Sequence, residues 1–201
     1  MVHCGIIYAK AGDRQVRDMT SDVHSIRKLL RSERAKVREH FLRLDRDDRH
    51  LRFFGHVGDT FIEAYCEKIL STGYVVLGCF IEGELRAVGE LRQSGRPWQP
   101  VAEIAITVEK PFQNQGIGTE LLRRLIGLAR NRAIKTLHLF CLLDNVRMQR
   151  VAKKLGGSLK YAEGEVEARI DPPWPTYWSL MEEAFADGRA VLHTWWLGDA
   201  A

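Results

Sequence analysis

Apolar and polar positions change period several times along this chain, and each change marks an element. Residues 13 to 20 read as a strand and its exit. Val23, Ile26, Leu29 and Leu30 then recur at helical spacing behind Thr20-Ser21-Asp22, whose side chains suit an N-cap. Val37, Phe41, Leu42 and Leu44 continue a helical pattern up to Asp45-Arg46-Asp47-Asp48, and the short aromatic segment Leu51-Arg52-Phe53-Phe54 follows. A further helix is predicted from Asp59 or Thr60 to Leu70. The β-type run Tyr74 to Ile81 turns at Glu82-Gly83-Glu84 and returns over Leu85 to Gln93, a hairpin pattern. Residues 94 to 100 hold Gly, two Pro and Trp98 and read as a loop.

The second half alternates strand and helix. Val101 to Val108 is a strand, with Ala102, Ile104, Ile106 and Val108 on one face and Val101, Glu103, Ala105 and Thr107 on the other. Pro111 closes it, since Pro lacks a ladder donor. An amphipathic helix spans Ile117 to Arg130, and a strand spans Thr136 to Leu142. A helix then runs from Asp144 or Asn145 to Leu155 and ends at Gly156-Gly157. Ser158 to Tyr161 and Glu165 to Ile170 form a closing strand pair. Pro172 to Pro175 is a stiff break, followed by a helix-like piece over 176 to 186 and the apolar run Val191 to Trp196. This order predicts an α/β (α+β) fold with a mixed sheet flanked by helices. It divides the chain into a domain over 1–171 and a C-terminal extension over 172–201.

Composition narrows the function class. The chain has 201 residues, 45% hydrophobic and 28% charged, ordinary for a globular domain. No apolar run approaches the length of a membrane span, and the N-terminus lacks the features of a signal peptide. Four cysteines are dispersed without a Cys-x-x-Cys pair, which argues against zinc and for a reducing, cytoplasmic setting. A net charge of +4 is mild, and aromatics are not interleaved with the basic residues as a nucleic-acid platform needs. Expected partners therefore exclude nucleic acid and membrane.

The chemistry concentrates at Gln113-Asn114-Gln115-Gly116-Ile117-Gly118-Thr119, between a strand and a helix. Two glycines let backbone approach a ligand closely. The first amides of the following helix lack intrahelical partners and, with the helix dipole, suit a pyrophosphate. A plain glycine turn into a helix has the same spacing. The dinucleotide fingerprint fails at its third glycine, where Leu121 stands, and the Walker loop fails because Thr119-Glu120 replaces Lys-Ser/Thr. Glu103 is a carboxylate inside an apolar strand just before this loop. Burial there raises a carboxyl toward the range of a useful base, whereas a salt bridge with an arginine is the plain structural reading.

Gln-x-x-Gly-x-Gly after a strand carrying Ala-Glu-Ile-Ala resembles the acyl-coenzyme A loop of the GNAT superfamily of N-acetyltransferases. Asn145-Val146-Arg147-Met148 and the ending Leu155-Gly156 resemble that superfamily's helix after its fifth strand. Leu51-Arg52-Phe53-Phe54, with the Glu103 strand, is similar to the GNAT domain of bacterial Pat-type protein lysine acetyltransferases. The resemblance covers residues 15 to 160 and implies a sheet splayed between its fourth and fifth strands. It implies acetyl-coenzyme A as co-substrate and no metal. Ile106, Thr107 and Val108 would meet the pantetheine arm and thioester, Gln113 to Thr119 the pyrophosphate, and Asn145 and Met148 the coenzyme from the next helix. Glu103 maps to the proposed base. The acceptor is a primary amine, with a protein lysine favoured over a small amine. The helix tyrosine that serves many members as acid is Ala152 here, so either the thiolate leaves without enzymatic protonation or another group serves, with Tyr161 and Cys141 as candidates and packing as the plain reading of both. That departure leaves a non-catalytic acyl-coenzyme A-binding module as the rival. Trp174, Trp178, Trp195 and Trp196 raise a homodimer contact, against a tail folded back on its own sheet.

Overall fold

The computed structural model describes residues 24–71, 73–94 and 100–186. The expected strand over 13 to 20 and the run Val191 to Trp196 lie outside them.

Seven strands form one sheet in the order β1-β2-β3-β4-β5-β7-β6. They are β1 (His24–Lys28), β2 (Tyr74–Ile81), β3 (Glu84–Ser94), β4 (Val101–Val108), β5 (Thr136–Leu142), β6 (Ser158–Ala162) and β7 (Glu165–Ile170). Neighbours are antiparallel except β4 and β5, which run parallel. Three helices, α1 (Arg34–Arg43), α2 (Arg46–Phe53) and α3 (Asp59–Ile69), lie between β1 and β2 in the chain. Helix α4 (Ile117–Asn131) connects β4 to β5, and α5 (Val146–Lys154) connects β5 to β6. A last helix, α6, covers 177–186.

The sheet separates two cores. Ala102, Ile104 and Ile106 of β4 pack with Leu121, Leu122 and Leu125 of α4. On the opposite face Val76, Phe80 and Val88 pack with Phe41 of α1 and Ile62 of α3. Strand β2 is buried along most of its length because both faces are covered, which explains its unbroken apolar sequence. The β2–β3 turn places Glu82 at φ 53° and Gly83 at φ 80°, the left-handed pair that a two-residue hairpin requires. Residues on α4 at helical spacing are buried from Ile117 to Ala129, and Arg123 and Arg124 point outward to pair with Glu120.

Two readings change. The segment around Ile26 is strand β1, not helix. Its backbone pairs with β2 from His24↔Ile81 to Lys28↔Leu77, so an available sheet edge overrides a weak helical spacing. Helix α2 was not expected, because none of its residues is buried and no apolar period marks it. It forms behind Asp45, whose side chain accepts from Asp48 N–H.

The connection from β1 into α1 is pinned by Glu33. Its carboxylate takes two hydrogen bonds from Arg27 at 2.7 and 2.6 Å and one from Leu30 N–H at 3.1 Å. Burial alone would push this carboxyl up, but Arg27, Leu30 N–H and Lys36 outweigh it and hold it from 4.5 down to about 2. A folded value below the unfolded one stabilises fully above pH 4.5, and that stabilisation is lost as pH falls through about 2. The displacement corresponds to about 3 kcal/mol. Urea titrations of wild type and Glu33→Gln should therefore differ by up to about 3 kcal/mol at pH 7 and converge toward pH 2. A gap that stays constant over that range would show that Glu33 acts by packing alone.

Candidate active site

Strands β4 and β5 pair only from Val101↔Thr136 to Ile104↔Leu139. Beyond that point β4 stays on β3 as far as Val108↔Ala87, and β5 stays on β7 as far as Leu142↔Glu165. Each strand keeps its outer partner and loses its inner one. The sheet therefore opens into a wedge, whose walls are Ala105–Val108 and Phe140–Leu142. The cleft at the wedge has a volume of about 530 Å³ and reaches from the start of α4 to the α2–α3 side of the sheet.

Glu103 and every residue predicted to bind the coenzyme except Gln115 line this cleft. The loop before α4 is shaped by Asn114 at φ 61° and Gly116 at φ 84°. Gly116 caps the helix, and the first bond of the α4 ladder runs from Glu120 N–H to Gly116 O at 3.0 Å. The amides of Ile117, Gly118 and Thr119 thus precede the ladder and are free for an anion. A Cβ at Gly118 would meet nothing closer than Val108 Cγ2 at 3.8 Å, so no protein atom requires a glycine there.

The glutamines of the loop are structural. Gln113 Nε2 donates to Val108 O at 2.9 Å and to Asp48 Oδ1 at 3.0 Å, and its Oε1 accepts from Arg147. One side chain thereby ties the end of β4 to α2 and α5. Gln115 Nε2 donates to Pro111 O at 3.1 Å and stays outside the cleft. On α5, Asn145 Oδ1 accepts from Met148 N–H at 3.1 Å as a helix cap, and both residues face the cleft. Ala152 is completely buried and does not line the cleft, so α5 presents no hydroxyl there. Tyr161 is exposed on β6 and also outside the cleft. Cys141 does line it, but burial pushes its thiol up to about 11.

Glu103 faces the cleft on the α2–α3 side of β4, as alternation requires. It is paired with Arg92, its cross-strand neighbour on β3, and its side chain is 38% exposed. The burial expected for it is therefore absent, and the expected alternative, a salt bridge to arginine, is present. The buried carboxylate of this wall is Glu90, which sequence reading did not single out. Arg52 donates to Glu90 Oε1 at 2.7 Å and Tyr65 O–H donates to Oε2. Burial and the Glu90 charge push the Tyr65 hydroxyl far up, so it remains a donor. The alternation argument used for Glu103 applies equally to Glu90, a lone carboxylate in the run Ala87 to Leu91. Asp48 was missed as well. Burial raises its carboxyl, only partly offset by Gln113, and its Oδ2 has no hydrogen-bond partner among the described residues.

A parallel strand pair opened at one end, with a helix N-terminus at the mouth, is the architecture of GNAT-fold acetyltransferases. The chain belongs to the acetyltransferase (GNAT) family, whose family model matches residues 32–157. It is similar to acetyltransferase PA5475 of Pseudomonas aeruginosa, at 28% identity over 136 residues, 65% of this chain and 73% of that one. Among solved structures, the GNAT domain of S. lividans PAT superposes with a TM-score of 0.63 at 21% identity, over 73% of this chain and 89% of that chain. The yncA protein of Salmonella typhimurium, a putative acetyltransferase solved with its cofactor acetyl-CoA, superposes with a TM-score of 0.58 at 17% identity, over 76% and 96%.

Proposed function

We propose that this enzyme transfers acetyl from acetyl-coenzyme A to a primary amine by direct attack, with Glu103 as base and a protein lysine as the favoured acceptor. The observation that carries this reading is the wedge between β4 and β5 opening onto free amides of α4. A pantetheine arm is a short polar strand of amides. It can replace the pairing that β4 and β5 give up at Ala105–Val108, with Ile106, Thr107 and Val108 on one side. The pyrophosphate then falls on Ile117, Gly118 and Thr119 N–H, reached along the loop from Gln113. Asn145 and Met148 close the coenzyme from α5. A fold neighbour crystallised with acetyl-CoA supports the choice of carrier.

Acyl transfer needs a proton acceptor for the incoming ammonium and a donor facing the thioester oxygen. Glu103 supplies the first through water, which its partial exposure admits. Main-chain N–H groups freed at the end of β4 supply the second. The carboxylates Glu90 and Glu103, which line the cleft, suit a cationic acceptor. The sequence resemblance of Leu51-Arg52-Phe53-Phe54 and the Glu103 strand to Pat-type protein lysine acetyltransferases favours a lysine. Of the extension proposed over 172–201, the described residues 172–186 are read as folded back on the domain. Ser179 O–H donates to Asn131 at 2.7 Å, and Glu183 takes Lys28 at 2.7 Å and Arg132 at 3.1 Å.

The rival reading, an acyl-coenzyme A-binding module without catalysis, draws on the buried Ala152. Calorimetry with acetyl-coenzyme A, joined to a thiol-release assay over lysine peptides and small amines, separates the two. Binding with amine-dependent thiol release is the expected result. Binding without release for any amine would favour the module, and no binding would end both readings.

A further inference from the structure

Beside the end of β4 the side chains of Glu109, His40 of α1 and Thr107 stand in line, and the reading above uses only the backbone of Thr107. Glu109 Oε1 lies 3.1 Å from His40 Nδ1, and His40 Nε2 lies 2.8 Å from Thr107 Oγ1. His40 is fully enclosed, whereas Thr107, 7% exposed, lines the cleft. The chain is thus a carboxylate, an imidazole and a hydroxyl that ends at the wedge.

The hydrogen-bond roles follow from chemistry. An ionised carboxylate only accepts, so Nδ1 carries the ring proton. Nε2 of the neutral ring then accepts from the Thr107 hydroxyl. With its proton committed to His40, Thr107 Oγ is an acceptor toward the cleft. Burial of the ring keeps it neutral. Burial depresses its proton affinity most, and Arg43 adds to that, whereas Glu109 and Glu90 act the other way. Glu109 is itself neutralised by Arg43 at 2.9 Å and Arg86 at 3.0 Å.

Acyl transfer from a thioester to an ammonium removes two protons from nitrogen and must return one to sulfur. Glu103 and solvent take the first. For the second, α5 offers nothing, because Ala152 is buried. Cys141 is too weak an acid. We propose that Thr107, backed by His40 and Glu109, carries the second proton from the attacking nitrogen to the departing sulfur. The nitrogen of the tetrahedral intermediate gives its proton to Thr107 Oγ as Thr107 passes its own to His40 Nε2. When the carbon–sulfur bond breaks, His40 returns a proton to Thr107 Oγ, and Thr107 delivers one to the thiolate. Nitrogen loses one proton, sulfur gains one, and His40 starts and ends neutral. A thiol titrates near 8.5, above an imidazolium, so return to sulfur runs downhill. Glu109 Oε1, accepting from Nδ1–H, keeps the ring in register throughout, which is a positioning role.

This relay rests on the acyl-transfer reading of the cleft, so its test separates the two. Thr107→Val keeps the shape and removes the hydroxyl; Thr107→Ser restores it. The assay is thiol release from acetyl-coenzyme A with Nα-acetyl-lysine, beside calorimetry with acetyl-coenzyme A. In Thr107→Val, kcat should fall by about 10²-fold or more with unchanged coenzyme affinity, and Thr107→Ser should recover most of it. Nitrogen-15 spectra of histidine-labelled wild type should show His40 protonated at Nδ1 and bare at Nε2, independent of any acceptor. Unchanged turnover in Thr107→Val, an equal loss in Thr107→Ser, or a proton on Nε2 would overturn the relay. Coenzyme affinity lost only in Thr107→Val would also overturn it, by making Thr107 a binding residue. Failure of the wild type to bind acetyl-coenzyme A would instead sink the underlying reading of the cleft.

Discussion

Glu103→Gln should lower kcat by about 10² to 10⁴-fold while acetyl-coenzyme A affinity, read by calorimetry, holds. The substitution keeps the shape of the side chain and a hydrogen bond for Arg92, but removes the basic oxygen. Stability should barely move, because the side chain is 38% exposed and its ion pair lies at the surface. The pH dependence gives the assignment its sign. A lysine acceptor carries its own proton up to about pH 10.4. As pH rises toward that value, acceptor molecules arrive already neutral and the base has less to do, so the deficit of Glu103→Gln should shrink. Glu90→Gln is the comparison. Glu90 has both oxygens engaged by Arg52 and Tyr65, and its loss should cost stability rather than follow this pH pattern. If Glu103→Gln turns over like wild type at saturating acceptor while Glu90→Gln shows the shrinking deficit, the base lies on β3 instead.

The elements that carry this site were legible because burial imposes a period. The alternation in β4, the apolar run of β2 and the helical stripe of α4 each record a face that the fold covers. The loop at Gly116 was legible for a different reason. A residue at φ 84° ahead of a helix needs the freedom of glycine, and that need is visible one residue at a time. Helix α2 left no such trace, since none of its residues is fully buried. Strand β1 was misread because its state is decided by an edge that another segment offers. The buried polar groups were hidden by distance along the chain. His40 meets Glu109 from 69 residues away, and Glu90 meets Arg52 from 38. No local spacing encodes such a meeting. Residues predicted for binding also turned out to divide their work. Gln113 fastens β4, α2 and α5 together with its side chain, which leaves its loop's amides as the part open to a ligand.

Gly118→Ala should move stability and ligand affinity in opposite directions. Gly118 is the second residue of α4, and its backbone is not in the left-handed region. Its added Cβ would sit 3.8 Å from Val108 Cγ2, an ordinary contact. Alanine there restricts the unfolded chain and favours the helix, so the protein should gain about 0.4 to 1 kcal/mol. Thermal unfolding should shift upward by about 1 to 4 °C for a domain of this size. The same methyl group projects from the turn whose amides are assigned to the pyrophosphate. If backbone must approach the phosphate oxygens closely, the methyl holds them off, and affinity for acetyl-coenzyme A should fall at least about tenfold, or about 1.4 kcal/mol. Gly116→Ala separates this steric effect from a conformational one. At φ 84° alanine is strained by about 1 to 2 kcal/mol, so that variant should lose stability and affinity together. A Gly118→Ala protein that melts higher and binds as well as wild type would mean that the glycine keeps no ligand close. The amide nest would then be an ordinary helix start, and the diphosphate would have to lie elsewhere in the wedge.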